Sequence, residues 1–307
     1  MAHIAVIGSL NMDVVSEVDQ FPKPGETIKS HGTTYGCGGK GANQALAAAK
    51  AGAQVSMIGA VGDDAFGSVL MDSLAAYGVN TQHIAVKPGS SGLATITVNG
   101  EGENTIVLTG GANDKVEIDE VRTSLEQLGA IDMILLQNEV PWAINRFAME
   151  WAQANSVAVC FNPAPAMVVP DEMYAYLNVL VLNQTEAECV TGIVVSGVEA
   201  AEAAADKLIA QGVQAVILTL GEAGAYYRGR DGEAVLSPAF RVDVVDTTAA
   251  GDTFIGAWSA ARTEGADVAS GLRFASAAAA LAVSQEGAQQ SIPAREEIER
   301  LLGVQQH

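Results

Sequence analysis

Short runs of apolar and β-branched residues alternate along the chain with longer, alanine-rich stretches. The short runs are too brief for helices and predict buried strands at Ile4–Ile7, Val55–Ile58, Met133–Leu136, Val157–Phe161, Val179–Leu182 and Ala215–Leu220. The longer stretches predict helices at Ala42–Ala51, Ser68–Tyr77, Ala143–Ala154, Glu199–Ala210, Asp252–Arg262 and Gly271–Val283. This alternation is typical of an α/β fold in which a mostly parallel sheet carries helices on both faces.

A different pattern interrupts the alternation in two places. Further short strands are predicted at Val14–Glu17, Thr27–Tyr35, Leu93–Val98 and Thr105–Leu108. The last two flank the turn-rich segment Asn99–Asn104 and therefore predict a β-hairpin. We expect one domain over residues 1–307, with a small β-sheet lid formed by about 12–36 and 91–110.

The composition narrows the class of protein. The 307 residues are 49% hydrophobic and 17% charged, which permits a large core and argues against disorder. Acidic side chains outnumber basic ones by 36 to 16, giving a net charge of −20 at pH 7. Because nucleic acids and anionic membranes require basic surfaces, we expect neither as a partner and a small molecule as the ligand.

The N-terminal segment and the cysteines bear on the compartment. Met1–Asp13 has no basic segment, and no stretch of the chain approaches the ~20 apolar residues of a membrane span. Cys37, Cys160 and Cys189 are odd in number and lack metal-type spacing, which is typical of free thiols in a reducing compartment. We therefore expect a cytoplasmic protein.

The first segment that carries chemistry is glycine-rich and spans Tyr35–Gln44. Its glycines permit positive φ angles and close approach of a ligand, and Lys40 and Asn43 add polar groups before an alanine-rich helix. It is not a Walker-type phosphate loop, because Gly41 rather than Ser or Thr follows Lys40. A tight turn before the helix is the alternative interpretation.

Polar side chains also follow the first predicted strand. Since ligands of parallel sheets bind at the carboxyl ends of strands, Asn11 and Asp13 are well placed to bind hydroxyl groups. An amide offers both a donor and an acceptor, and a carboxylate accepts two O–H bonds, which together suit a polyol. The alternative is an Asx turn that leaves the strand.

The strongest signal lies in Val245–Phe254, before a predicted helix. The backbone N–H groups of residues 249–252 would form an anion pocket at the helix start, and the small side chains of Ala249, Ala250 and Gly251 would let a phosphate approach. A helix cap is the ordinary role of an aspartate such as Asp252. However, none of the four histidines lies beside a nucleophile in the sequence, so a carboxylate is the expected base. Such a pocket beside a base suits phosphoryl transfer.

Two of these segments together resemble the signatures of the ribokinase-like carbohydrate kinases. They are Gly38-Gly39-Lys40-Gly41-Ala42-Asn43 and Asp246-Thr247-x-x-x-Gly251-Asp252. The resemblance covers essentially the whole chain, and it narrows toward ribose-specific members through Asn11-x-Asp13, Asn99–Asn104, Asn162–Ala166 and Gly287–Ser291. It implies a three-layer α/β/α sandwich whose lid closes the sugar site, and a homodimer that pairs through the lid.

The resemblance also implies roles for individual residues. Asp252 matches the aspartate that deprotonates the attacking hydroxyl, and Ala249, Ala250, Gly251 and Asp252 match the anion hole. Sugar-binding positions are matched by Asn11, Asp13, Gly39, Lys40, Asn43, Glu139 and Asp252. Nucleotide-binding positions are matched by Asn183, Thr219, Gly221, Gly224, Gly251 and Ser276.

Two cations are implied as well. The first is Mg²⁺ bound with ATP and positioned by Glu186 through water. The second is an activating K⁺, whose site is matched by Asp246, Thr248, Ala282, Gln285, Gly287 and Ser291, several of them through main-chain carbonyls.

Some positions depart from the family pattern or have simpler interpretations. Ala249 replaces a glycine, which costs little if its φ is negative, and Ser276 replaces the Asn or His that relatives often have near the adenine. Glu139 could simply end a strand, and Glu186 could be a first-turn acid favoured by the helix dipole.

The function implied by the resemblance is ATP-dependent phosphorylation of D-ribose at its 5-hydroxyl. The alternative is a kinase of another pentose, sugar or nucleoside, 2-deoxyribose first, although members specialised for 2-deoxyribose have an apolar residue at the position of Asn11. A catalytically idle sugar or nucleotide sensor would not need Asp252 or Gly251. A Rossmann dehydrogenase is excluded because no G-x-G-x-x-G follows the first strand.

Overall fold

A nine-stranded sheet separates two helical layers in the computed structural model, which describes residues 2–304. The strands are β1 (His3–Ile7), β2 (Asn11–Glu17), β3 (Gly32–Gly38), β4 (Gln54–Gly62), β5 (Asn80–Lys87), β6 (Gly92–Val98), β7 (Asn104–Thr109), β8 (Met133–Gln137), β9 (Ala158–Asn162), β10 (Val179–Asn183), β11 (Ala215–Thr219), β12 (Ala225–Gly229) and β13 (Ala234–Ser237). The helices are α1 (Lys40–Lys50), α2 (Ala65–Ala75), α3 (Ile118–Leu128), α4 (Trp142–Ala154), α5 (Gln184–Thr191), α6 (Val198–Gln211), α7 (Ala250–Thr263), α8 (Val268–Val283) and α9 (Arg295–Val304).

The central sheet is mostly parallel, as the sequence predicts. Its strand order is β13-β12-β11-β10-β9-β8-β1-β4-β5, and within the described part of this sheet only the pairs β11–β12 and β12–β13 are antiparallel. The carboxyl ends of β1, β8, β9, β10 and β11 therefore lie along one edge of the sheet. Residues that follow those strands are brought close together there.

The core confirms the three-layer arrangement. Along β1, Ile4 and Val6 belong to the cluster that includes Trp258 of α7, whereas Ala5 and Ile7 belong to the cluster that includes Ile144 of α4. Successive side chains of a strand point to opposite faces, so a fully apolar strand serves two cores at once. This is why the buried strands have continuous apolar runs rather than alternating ones.

Four strands form a second, smaller sheet in the order β3-β2-β6-β7, which we call the lid sheet. The hairpin β6–β7 turns at residues 99–103, as predicted, and β2 joins the hairpin by pairing in parallel with β6. The predicted strand at Thr27–Tyr35 is wrong at its start, because β3 begins at Gly32 and continues to Gly38. The movement of this sheet over a bound sugar stays a prediction.

Several elements were not predicted from the sequence: β5, β12, β13, α3, α5 and α9. These elements mix polar and apolar residues, so they give no apolar run; α9, for example, has the sequence REEIERLLGV. The helix α3 is recognisable in retrospect by its capping box between Glu117 and Glu120. Apolar periodicity alone therefore finds the centre of this fold better than its borders.

Two further observations concern the compartment. Within residues 2–304, every helix is too short or too polar to cross a bilayer. Cys37, Cys160 and Cys189 are free thiols, and burial raises the pKa of Cys160 to about 12. The cytoplasmic location stays a prediction.

Candidate active site

Two cavities open at the carboxyl edge of the central sheet. The first, about 320 Å³ in volume, is called here the lid-side pocket because Leu108 and Thr109 of β7 line it together with Asn11, Asn113 and Glu139. The second, about 210 Å³, is called the helix-side cavity because the first residues of α7 line it. That cavity, which includes residues 249–252, is also lined by Lys40, Asn183, Glu186 and Thr219.

Glu139 joins several elements at the floor of the lid-side pocket. Its Oε2 accepts hydrogen bonds from Ser9 Oγ (2.5 Å), Asn11 Nδ2 (3.3 Å) and the Lys40 backbone N–H (3.1 Å). All three donors meet one oxygen of the carboxyl group, so its Oε1 remains available to a ligand. Glu139 does follow a strand, but it also ties β1, β2 and α1 to the pocket.

Asn113 determines how Asn11 presents its amide. Asn113 Nδ2 donates to Asn11 Oδ1 (2.7 Å), while Asn113 Oδ1 accepts from the Leu10 backbone N–H (3.0 Å). With its oxygen engaged, Asn11 directs its NH₂ group toward Glu139 and leaves one N–H for a ligand. The amide is 5% exposed, so its orientation is fixed before a ligand arrives.

The pKa values of Asp13 and Lys40 are both raised by their surroundings. Burial, reinforced by Glu139 and Asp252, raises the pKa of Asp13 to about 7. Gly38 lies directly against this carboxylate, since a Cβ there would be 2.2 Å from Asp13 Oδ2. The pKa of Lys40 is raised, chiefly by Asp252, which outweighs the effect of burial; Glu139 and Glu186 act in the same direction.

The carboxylate of Asp252 lies at the start of α7 and is 6% exposed. Gln44 Nε2 donates to its Oδ1 (3.0 Å), and Asn43 Nδ2 donates to its Oδ2 (3.2 Å). The alternative in which Asp252 is a helix cap is wrong: Ala249 occupies the N-cap position and makes no side-chain capping bond. The buried carboxylate instead faces α1 and the helix-side cavity.

The segment before α7 has the shape of an anion pocket. The N–H groups of Gly251 and Asp252 lie in the first helical turn, where no earlier helical carbonyl can accept them. A Cβ on Gly251 would meet nothing within 4 Å, so the space in front of it is open. The Ala250 N–H, by contrast, donates to the Thr247 carbonyl at 3.3 Å.

Ala249 does not have the negative φ under which its substitution for glycine would cost little. Its φ is 59° and its ψ is 6°, in the left-handed region. An alanine there is disfavoured by ~1–2 kcal/mol relative to a right-handed conformation. The loop therefore holds backbone strain at the point where the anion pocket begins.

Glu186 belongs to the capping box of a helix and also lines the helix-side cavity. It forms a capping box with Asn183 at the start of α5, accepting from the Asn183 N–H (2.9 Å) and Asn183 Nδ2 (2.9 Å), and also accepts from Asn162 Nδ2 (3.1 Å). Both carboxylate oxygens are thus engaged, which fits a Mg²⁺ held through water better than a direct ligand. Burial raises the pKa of Glu186. Across residues 2–304, no group of three or more His, Cys, Asp or Glu side chains is arranged to hold a metal ion alone.

The positions expected to bind K⁺ lie in the loop before α7, at the end of α8 and in the loop beyond α8. Asp246 Oδ1 accepts from the N–H (2.8 Å) and hydroxyl (2.6 Å) of Thr248, and its Oδ2 accepts from the Gly287 N–H (2.9 Å). Burial acts to raise the pKa of Asp246, but these donors outweigh it and lower the pKa. The remaining expected positions, Ala282, Gln285 and Ser291, are at the end of α8 and in the loop beyond it. Both Asp246 oxygens accept protein donors, so the carboxylate ties the two segments together, and the binding of K⁺ there stays a prediction.

The expected nucleotide-binding positions divide into two groups. Asn183, Thr219 and Gly251 line the helix-side cavity. Gly221 and Gly224, with φ of 58° and 100°, form the turn after β11, and Ser276 is buried in α8. These last three lie outside the lining of the cavity, so their contacts with a nucleotide stay predictions.

Sequence reasoning missed five polar residues that support the site: Ser9, Gln44, Asn113, Gln137 and Asn162. Two of them could have been found by the argument applied to Asn11, that ligands bind at the carboxyl ends of parallel strands. Gln137 ends β8 and Asn162 ends β9, each as the one polar residue of an apolar strand. Gln44 interrupts the alanine face of α1 and is fully buried. A single polar residue within an otherwise apolar run could therefore have identified these three residues as candidates for the site.

Comparison with known proteins finds relatives over nearly the whole chain. The profile of the pfkB family of carbohydrate kinases matches residues 1–295. Ribokinase from Haemophilus influenzae is 40% identical over 295 residues, covering 96% of each chain. Deoxyribokinase from Salmonella typhimurium is 39% identical over 303 residues, covering 98% of this chain and 99% of its own. The structure of Arabidopsis thaliana ribokinase complexed with ribose and ATP aligns with a TM-score of 0.91 at 32% identity, covering 98% of this chain and 99% of that one.

Proposed function

Since the chain belongs to the pfkB family of carbohydrate kinases, we propose that it transfers the γ-phosphate of ATP to the 5-hydroxyl of D-ribose. One observation carries this proposal: the buried carboxylate of Asp252 lines the helix-side cavity and is bonded to Asn43 of the glycine-rich segment. A base in this place lies where a sugar hydroxyl and a terminal phosphate would meet.

The lid-side pocket is suited to a polyol. Asn11 offers an N–H donor and Glu139 keeps one oxygen available, while the Asp13 carboxyl lies near Glu139 but outside the lining of the pocket. Sugar hydroxyls act as donors and acceptors, so this mixed set can bond several hydroxyls at once. Asn43 and Lys40 extend the set toward the base, and Gly39 packs directly against the backbone of Leu10 and Asn11.

The proposed transfer has a simple balance. The O–H bond of the 5-hydroxyl breaks and its proton passes to Asp252, while the sugar oxygen forms a bond to the γ-phosphorus. The bond from that phosphorus to the β-phosphate oxygen breaks, and ADP leaves. The N–H groups of Gly251 and Asp252 and the charge of Lys40 stabilise the negative charge on the transferring group.

Two cations accompany this chemistry. Mg²⁺ bound to the ATP phosphates supplies charge neutralisation, and Glu186 would hold it through water. K⁺ would bind between Asp246 and the loop after α8, where it supports the orientation of the segment that leads into the anion pocket.

We also propose a cytoplasmic homodimer that pairs through the lid sheet. The edge strand β7 exposes Ile106, Val107 and Leu108 by 52%, 65% and 45% of their surface. An edge strand with apolar side chains in solvent is a site for pairing with another chain.

Phosphorylation of 2-deoxyribose is the competing function, because the Salmonella typhimurium deoxyribokinase is 39% identical to this chain. The contact between Asn113 and Asn11 favours ribose, because a polar amide held in one orientation requires a hydroxyl partner. A sugar that lacks that hydroxyl would leave the amide unpaired.

A coupled ADP-release assay over pentoses, hexoses and nucleosides tests the proposal. We expect D-ribose to give the highest kcat/KM, and the ³¹P spectrum of the product to show a phosphomonoester on the 5-oxygen. A hexose or nucleoside that exceeds ribose would replace the substrate, and absence of ADP release with all of them would reject the kinase.

A further inference from the structure

A chain of buried amides lies behind the proposed base. Gln137 Nε2 donates to Gln44 Oε1 at 2.7 Å, and Gln44 Nε2 donates to Asp252 Oδ1 at 3.0 Å. Gln44 and Gln137 are fully buried, and neither lines the two cavities. The chain thus reaches the carboxylate from the protein interior, on the side away from the ligands.

The direction of each hydrogen bond follows from the carboxylate. An ionised carboxylate only accepts, so Gln44 must turn its NH₂ group toward Asp252. The Gln44 oxygen then faces Gln137, which must in turn present its own NH₂ group. If the Gln44 amide were reversed, its oxygen would face Asp252 Oδ1 and repel it. Gln137 therefore selects the orientation in which Gln44 can hold the base.

The fold makes room for this chain at two glycines. At Gly256 of α7, a Cβ would lie 2.5 Å from the Ala47 Cβ and 2.7 Å from the Gln44 carbonyl oxygen, so α1 and α7 approach closely. At Gly8, a Cβ would lie 2.1 Å from Gln137 Oε1. Glycine is thus required at both ends of the contact between Gln137, Gln44 and Asp252.

The hydrogen-bonded amides also lower the stability of the protein in one respect. Gln137 Oε1 is buried without a hydrogen-bond donor in the described part of the chain. A buried polar atom that lacks a partner is destabilising, and a core position that only needed filling would be served better by an apolar side chain. The NH₂ group of Gln137, rather than its oxygen, is the part that the site uses.

The two oxygens of Asp252 thus have different neighbours. Oδ1 is held from the interior by Gln44, whereas Oδ2 lies beside Asn43, on the side of the expected sugar. We propose that Gln44 and Gln137 are positioning residues: Gln137 fixes the Gln44 amide, which holds Oδ1 and leaves Oδ2 to take the proton of the sugar hydroxyl. This inference rests on the proposed role of Asp252 as the base.

Other charges also face Asp252 and must be considered in a test that uses pH. They are Asp13 on β2, Lys40 on α1 and Glu186 on α5, and Glu139 acts on both Asp13 and Lys40. None of them is bonded to Gln44 or Gln137 among the described contacts. Substitutions at these glutamines therefore leave that charge arrangement in place.

The test uses Gln44→Met and Gln137→Met, which keep side-chain length and remove the donors. We expect Gln44→Met to lower kcat about tenfold or more with little change in KM for ATP, as for loss of an interaction made in the transition state. The acid limb of its kcat–pH profile should move to higher pH, because a carboxylate that loses a donor is protonated more readily. Gln137→Met should also lower kcat and move the acid limb to higher pH, but both changes should be smaller.

The double variant provides the sharpest readout. If Gln137 acts only through Gln44, then Gln44→Met/Gln137→Met should be no worse than Gln44→Met alone. Additive losses would overturn the proposal. The matched control is Asn145→Ala: this buried amide donates to the main-chain oxygen of Gln137 at 2.7 Å and has no part in the chain of amides. It should lower the melting temperature without moving the acid limb.

A near-isosteric variant guards against misfolding. In Gln44→Glu the new carboxyl can donate to Asp252 only while protonated, so kcat should fall as the pH rises and the two carboxyls lose their shared proton. A folded Gln44→Glu or Gln44→Met protein with the wild-type pH profile would show that these glutamines only fill the core, and would overturn the proposal.

Wild-type protein and Asp252→Asn are measured in the same series. If the wild type is inactive with every sugar, or if Asp252→Asn keeps normal turnover, the proposed function or its base fails, and the inference fails with it. If the wild type turns over and Asp252→Asn does not, the base stands. The profiles of the Gln44 variants then decide the inference alone.

Discussion

The lid-side pocket and the helix-side cavity are built in different ways. In the lid-side pocket, side chains hold other side chains: Asn113 orients Asn11, and Glu139 accepts from Ser9 and Asn11. In the helix-side cavity, the expected phosphate contacts are main-chain N–H groups at the start of α7. A sugar is distinguished by the direction of its hydroxyls, which only particular side chains can match. A phosphate is the same in every kinase, and backbone groups suffice for it.

This difference separates two properties of the enzyme. We expect substitutions in the lid-side pocket to change which sugar is used, and changes in the helix-side cavity to alter the rate for every sugar. Asp252 stands at the border, because Asn43 contacts it from the glycine-rich segment while its own backbone belongs to the anion pocket.

The largest effect should follow the removal of the base. Asp252→Asn should reduce turnover by ~10² or more, the usual scale for a lost general base. Ribose affinity should remain nearly normal, because the lid-side pocket is untouched. Calorimetric titration of ribose and a steady-state assay of the folded variant check both parts. Near-normal turnover would remove Asp252 from the mechanism.

The binding of ribose should show a pH dependence of its own. Sugar O–H donors favour the ionised form of Asp13, whose pKa in the free protein is raised to about 7. Ribose affinity should therefore be constant above pH 7 and fall below it, by at most about tenfold per pH unit. Titration calorimetry between pH 5.5 and 8.5 measures this. Asp13→Asn should bind ribose more weakly at pH 8 with a flatter profile, and an unchanged slope in that variant would assign the titration to another group.

Removal of K⁺ should affect the helix-side cavity rather than the lid-side pocket. Replacing K⁺ by Na⁺ or Tris at constant ionic strength should slow turnover several-fold, because Asp246, which accepts from the Gly287 N–H, lies in the segment that leads to the anion pocket. Ribose affinity should not change. Identical rates in the three buffers would reject the K⁺ site, and a change in ribose affinity would contradict the separation of the two regions.

The smallest effect concerns backbone strain. Ala249→Gly relieves a left-handed alanine, worth ~1–2 kcal/mol, but gains unfolded-state entropy that offsets ~0.4–1 kcal/mol, so the free energy of unfolding should rise by about 0–1.6 kcal/mol. The matched control is Ser156→Gly, which has φ of 58° and lies after α4. Denaturant unfolding should show similar gains for both, while only Ala249→Gly changes turnover. A turnover change in the control would remove the link to the anion pocket.

Sequence alone predicted the sheet well because buried parallel strands are continuous apolar runs, as in β1 and β8. The sequence also predicted that Asn11 and Asp252 belong to the site, because Asn11 follows a predicted strand and Asp252 begins a predicted helix. It could not give the backbone angle of Ala249, which depends on how the preceding loop packs. Nor did it find Gln44 or Asn113, because the partners that define their roles are about 90 to 210 residues distant in the chain.

Discrimination between ribose and 2-deoxyribose tests the central claim most directly, since it asks whether the lid-side pocket sets the substrate through Asn11. An amide built to bond a hydroxyl is left unpaired by a sugar that lacks it, at ~1–3 kcal/mol. We predict that the unmodified protein prefers ribose in kcat/KM by about tenfold or more, and that Asn11→Met narrows or inverts this ratio while ribose-independent properties such as KM for ATP stay constant. Equal use of the two sugars by the unmodified protein would contradict the assignment of ribose and leave only the carbohydrate kinase.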